Sequence, residues 1–107
     1  MIQRICGVDV SVEHSDPTIW ATNGMGRCEQ KQARIFLCAG LPVDVTNSTN
    51  LHEVIHMVLD MNGFSDHANQ EQLVSVLGSS LFAWMRDNRQ MLQSWIYGWD
   101  NSTEEQK

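Results

Sequence analysis

The sequence predicts an α+β domain: a small, mainly antiparallel N-terminal sheet, then two long antiparallel helices and a short C-terminal helix. Three observations predict it. Apolar residues recur with period two in the first forty positions, the period becomes helical from about position 44, and only residues 63–67 separate the two helical stretches. At 107 residues the chain is expected to make one domain over 1–100, with a flexible acidic tail at 101–107.

Val8, Val10 and Val12 alternate with Asp9, Ser11 and Glu13, the pattern of a half-buried strand. Ser15-Asp16-Pro17 should turn the chain into a short second strand at 18–21, before a break at Asn23-Gly24-Met25-Gly26. Residues 33–39 read as a further strand, with Ile35 and Leu37 on one side and Phe36 and Cys38 on the other. Gly40-Leu41-Pro42 ends it. A helix starting at Asp44 or Thr46 and running to about 62 places Leu51, Val54, Ile55, Val58 and Met61 on an apolar stripe, and Asn62-Gly63 supplies its stop. A second helix, about 68–88, should turn Leu73, Val74, Leu77, Leu81, Trp84 and Met85 toward a core. A third piece, about 90–99, carries Trp95, Ile96, Tyr97 and Trp99, aromatic and apolar groups expected to close that core.

Composition excludes several functions. Thirteen acidic residues against seven basic ones give a formal charge of −6, which disfavours a phosphate-binding surface and hence nucleic acid as a partner. No apolar run approaches the roughly 20 residues that span a bilayer, so no membrane partner is expected. Cys6, Cys28 and Cys38 are odd in number and lack a C-x-x-C pair, which fits a reducing, cytoplasmic location.

The most specific chemistry lies in His52-Glu53-Val54-Ile55-His56. Positions i and i+4 of a helix share a face, so His52 and His56 can both turn an imidazole nitrogen toward one Zn2+ ion. Glu53 can then act as general base on a water at that ion, the H-E-x-x-H arrangement of peptide hydrolysis. Two histidines make an incomplete site, because a catalytic zinc usually takes three protein ligands and a water. Glu71, 15 residues beyond His56 and near the start of the returning helix, is the first choice for the third ligand. His67, in the connection, is the second. Asp60 is the third, or an outer group that orients an imidazole. Residues 33–39, if they form a sheet edge beside the cleft, could hold an extended peptide by backbone hydrogen bonds.

Leu41-Pro42, Asn50-Leu51-His52-Glu53-Val54-Ile55-His56, Gly63, Glu71-Gln72-Leu73-Val74 and residues 81–88 together resemble a group of small phage and prophage zincin-like metallopeptidases. The resemblance covers roughly residues 26–88. It implies a minimal zincin-like domain whose third ligand is a glutamate from the following helix, with a peptide or protein as substrate. Ser75 and Met57 depart from the pattern, the first where a second acidic residue often follows, the second where a small residue is usual. Leu59 and Asn62 stand where the elongated H-E-x-x-H-x-x-G-x-x-H motif has glycine and histidine. A different class of function also fits these residues: a zincin-like fold kept as a binding module, with the C-terminal aromatic cluster as its contact surface.

Overall fold

The computed structural model describes residues 1–15 and 25–105, with side chains throughout except at 67, 68 and 100–105. Four strands, β1 (Ile2–Ile5), β2 (Val8–Ser15), β3 (Gly26–Glu29) and β4 (Arg34–Cys38), precede three helices, α1 (Val43–Met61), α2 (His67–Asp87) and α3 (Arg89–Glu105). The α+β architecture expected from the sequence is what the chain adopts. Strand order is β1-β2-β4-β3, antiparallel at β1/β2 and β3/β4 and parallel at β2/β4. The strand expected at 18–21 lies outside the described residues.

β1 and β2 are joined by a two-residue turn at Cys6-Gly7, both with positive φ, as a tight hairpin demands. Along β2, Val10 and Val12 point inward while Val8 is exposed, so alternation holds over two of its three valines. β4 buries Ile35 and Leu37 as its pattern predicts, and Cys38 as well. Val10, Val12, Ile35 and Leu37, with Ile5 and Met57, form the core under α1, and Val54, Val58 and Met61 pack against it. Each such side chain, fully buried, contributes about 1.5–3 kcal/mol.

α1 begins at Val43, one turn earlier than a cap at Thr46 would allow. Pro42 is the N-cap; its carbonyl accepts the first helical bond from the Thr46 amide at 2.9 Å, and no side chain caps the helix. The C-terminus is a Schellman turn: Gly63 N–H donates to the Asp60 carbonyl at 3.2 Å and Phe64 N–H to the Leu59 carbonyl at 2.8 Å. Gly63, at φ +86°, supplies the left-handed residue this turn requires. The expected stripe of Leu51, Val54, Ile55, Val58 and Met61 is only half-buried; the buried residues of α1 are Thr49, Glu53, His56 and Met57. α1 lies between the sheet and α2, so it buries a second face that apolar periodicity does not mark.

α2 packs mainly on α1, and that single contact corrects the expected core. Val74 is fully buried, but Leu73, Leu77, Leu81, Trp84 and Met85 stay 37–49% exposed. A helix resting on one neighbour covers only a narrow stripe, here Gln70, Val74 and Gly78. Asn88, at φ −120° and ψ 31°, ends α2, and its carbonyl accepts the first bond of α3 from Leu92 N–H. α3 continues past Trp99, where the sequence placed its end, to Glu105. Trp95, Ile96, Tyr97 and Trp99 are exposed and do not close the core. Among the described residues, no helix is long and apolar enough to cross a membrane.

Candidate metal centre

His52 and His56 lie one turn apart in the middle of α1, and α2 returns antiparallel beside them, so helical spacing and the tight Schellman turn together decide what faces them. It is Glu71. Its Oε1 is 3.0 Å from His52 Nε2, and its Oε2 is 2.8 Å from His56 Nε2. The two Nε2 atoms are 3.2 Å apart. Side-chain exposure is 26% for His52, 10% for His56 and 60% for Glu71, so the cluster is buried on its α1 side and open on its α2 side.

Three groups whose free lone pairs converge repel one another unless a cation sits among them, either a proton on a ring or a metal ion. Gaps of 2.8–3.2 Å are hydrogen-bond lengths and suit a proton, and they also come near the spacing of metal ligands. Zinc bonds of 2.0–2.1 Å in a tetrahedral set put neighbouring ligand atoms about 3.3 Å apart, and all the ligand atoms here lie within 4.8 Å of one another. Among the described residues this is the one group of three such side chains able to hold an ion.

Glu53 lies against β3 beside Gly26 and is 6% exposed. Burial pushes its carboxyl up to about 7; attraction to the His56 ring and a hydrogen bond from Cys28 act against the rise, and the Glu71 charge adds to it. The Cys28 thiol donates to the Glu53 carboxylate, and burial, with the Glu53 and Asp60 charges, pushes that thiol up to about 12. Thr49 and Glu53 can be this close to the sheet because residue 26 is glycine. A Cβ there would lie 2.6 Å from Thr49 Cγ2, 3.2 Å from the Phe36 carbonyl oxygen and 3.4 Å from Glu53 Cγ. An open cleft of about 320 Å³ lined by Gly26, Ser48, Thr49, His52, Glu53 and Glu71 runs along this junction.

Of the residues singled out by the sequence, His52, His56 and Glu71 come together, and Glu53 borders the same cleft. Asp60, one turn beyond His56 on α1, is not among the three. It accepts a hydrogen bond from Gln70 Nε2 at 3.0 Å, and Gln70 Oε1 is 2.6 Å from His56 Nδ1, the place of an outer orienting group. His67 opens α2, and its side chain lies outside those described. β4 is not a sheet edge, since β2 and β3 flank it; among the described strands the edge beside the cleft is β3. Asn50 sits mid-helix and pairs with Gln3 at 3.0 Å.

Sequence reasoning missed Gln70, Cys28 and Gly26. Gln70 immediately precedes Glu71, and its place beside the first choice for third ligand is the signal that could have flagged it. Gly26 read as a chain break because glycine's tolerance for turns and its tolerance for close approach look alike in sequence. Set beside known proteins, the chain matches no protein family, no curated protein and no solved structure.

Proposed function

We propose that this chain is a small zinc-dependent metallopeptidase, akin to the phage-type zincin-like proteins, with His52, His56 and Glu71 as metal ligands and Glu53 as general base. One observation carries the reading: two imidazole nitrogens and a carboxylate converge at a cleft that Glu53 also lines. When bound, zinc lowers the pKa of a water toward about 7 and polarises a carbonyl. Glu53 takes a proton from the attacking water and returns it to the leaving amine nitrogen. His52 and His56 keep their geometry because α1 holds them one turn apart, and Glu71 joins them from α2. β3, the edge beside the cleft among the described strands, takes an extended peptide as an added strand, with backbone hydrogen bonds holding it along the cleft. A peptide or protein is therefore the substrate class. Three free cysteines suit a reducing location, and we place the protein in the cytoplasm.

The second reading, a binding module that keeps the fold without turnover, draws on the exposed apolar residues of α2 and α3. Zinc content and peptide hydrolysis, measured on the parent and on Glu53→Gln, separate the two. The enzyme reading expects zinc in both proteins and a loss of at least about 100-fold in hydrolysis in the variant. Zinc in both, with no turnover of any peptide in a broad library by the parent, selects the binding module.

A further inference from the structure

We propose that Gln70 is a positioning residue that holds His56 as its Nδ1–H tautomer, reserving the Nε2 lone pair of that ring for a cation. The proposal rests on reading His52, His56 and Glu71 as a metal site, yet the proton placement at its centre can be measured without metal.

A primary amide has two ends, one of which only donates and one of which only accepts. Gln70 is 4% exposed, so both ends must find partners within the protein. Its Nε2 lies 3.0 Å from Asp60 Oδ1 and 2.5 Å from the Phe64 carbonyl oxygen. A backbone carbonyl can only accept. Turning the amide over would set Gln70 Oε1 against that carbonyl, two acceptors in contact. The orientation is therefore fixed, and Oε1 faces His56 Nδ1 at 2.6 Å. Both ring nitrogens face acceptors, Nδ1 the buried Gln70 Oε1 and Nε2 the Glu71 carboxylate, but Glu71 is 60% exposed and water can satisfy it, whereas the buried amide oxygen depends on a proton at Nδ1. A neutral imidazole has one N–H, so Nε2 is left as the bare nitrogen. That nitrogen lies 2.8 Å from Glu71 Oε2 and 3.2 Å from His52 Nε2, at the centre of the candidate site.

The surrounding fold makes this arrangement stiff. Asp60 is one turn beyond His56 on α1, and Phe64 is anchored by its own amide in the Schellman turn. Gln70 and Glu71 are consecutive in α2, so the same turn of helix brings the orienting amide to one side of His56 and the carboxylate to the other. Among the described residues no buried side-chain nitrogen or oxygen lacks a partner, which leaves this network no slack to rearrange. Outer contacts of this kind, when removed, typically cost a metal site 10- to 100-fold in affinity.

Long-range 1H–15N correlation spectra of the metal-free full chain, recorded with its rings neutral, report the tautomer of each histidine. We expect the Nδ1–H form at His56 in the parent and its loss in Gln70→Met, which keeps the side-chain length but removes both hydrogen-bonding ends. Zinc titration of the same two proteins should show affinity falling about 10- to 100-fold in the variant. An Nε2–H form in the parent overturns the proposal, and this spectrum decides even if the variant fails to fold. Retention of the Nδ1–H form in a folded Gln70→Met, with zinc affinity within about twofold of the parent, also overturns it. A parent that shows the Nδ1–H form, loses it in the variant and binds no zinc in either contradicts the metal reading and, with it, the use proposed for Nε2, while the tautomer assignment itself stands.

Discussion

At the scale of single residues, the chemistry of the cleft depends on which polar groups are buried and what each one faces. The Cys28 thiol donates to Glu53 in a partly enclosed space, which eases the charging of Glu53 and raises the cost of charging Cys28. For the thiol the sign is direct: with its pKa pushed up to about 12, only about one molecule in ten thousand carries the thiolate at pH 8. Since the thiolate is the nucleophile, Cys28 should resist alkylation in the folded protein, while Cys6, exposed in the β1/β2 turn, should be modified readily. Mass mapping of iodoacetamide adducts at pH 8 checks this, and prompt labelling of Cys28 under native conditions would refute the burial described. The Glu53→Gln substitution tests the other half of the pair, since it should leave zinc in place while abolishing most hydrolysis.

Elements explain why some of these residues were legible in the sequence and others were not. The i, i+4 spacing of His52 and His56 needs only a helix to become a pair, and the short connection to α2 needs only to reverse the chain to bring Glu71 back. Both conditions are local, so periodicity revealed them. The β1/β2 hairpin escaped notice because its turn is Cys-Gly rather than a familiar Asn-Gly or Asp-Gly signal. β3 escaped because it is four residues long and starts at a glycine that has to be there for packing. That last point is testable. Gly26→Ala should destabilise the fold by about 1–3 kcal/mol through overpacking against Thr49 Cγ2 and the Phe36 carbonyl. Combining it with Thr49→Ser, which deletes the nearer of the two obstacles, should recover part of that loss. Urea denaturation of the two single variants and the double variant gives the coupling, and strict additivity would mean that β3 does not lie against α1 as described.

Seen whole, the molecule is uneven: a well-packed layer of sheet, α1 and the near face of α2, and then α3 extending from it within overall dimensions of 51 × 31 × 26 Å. Apolar pattern alone could not distinguish the two regions, because the residues of α2 and α3 have the composition of a core without a second layer to meet. Stability should follow the packing. Met57→Ala, at a fully buried site between sheet and helix, should cost about 2–5 kcal/mol. Trp95→Ala should cost less than about 1 kcal/mol, because Trp95 is about half exposed and its ring meets Trp84 at 6.0 Å rather than the core. Equal losses in denaturant titrations would place α3 within the cooperative unit.

The central claim, that α1 and α2 together build one zinc site, is tested most directly by the zinc bound per chain after equilibration with limiting metal, compared between the parent and Glu71→Ala. We predict close to one zinc per chain in the parent and a much lower occupancy in the variant, with Asp60→Ala falling between the two. No zinc on the parent, or full occupancy in Glu71→Ala, would contradict it.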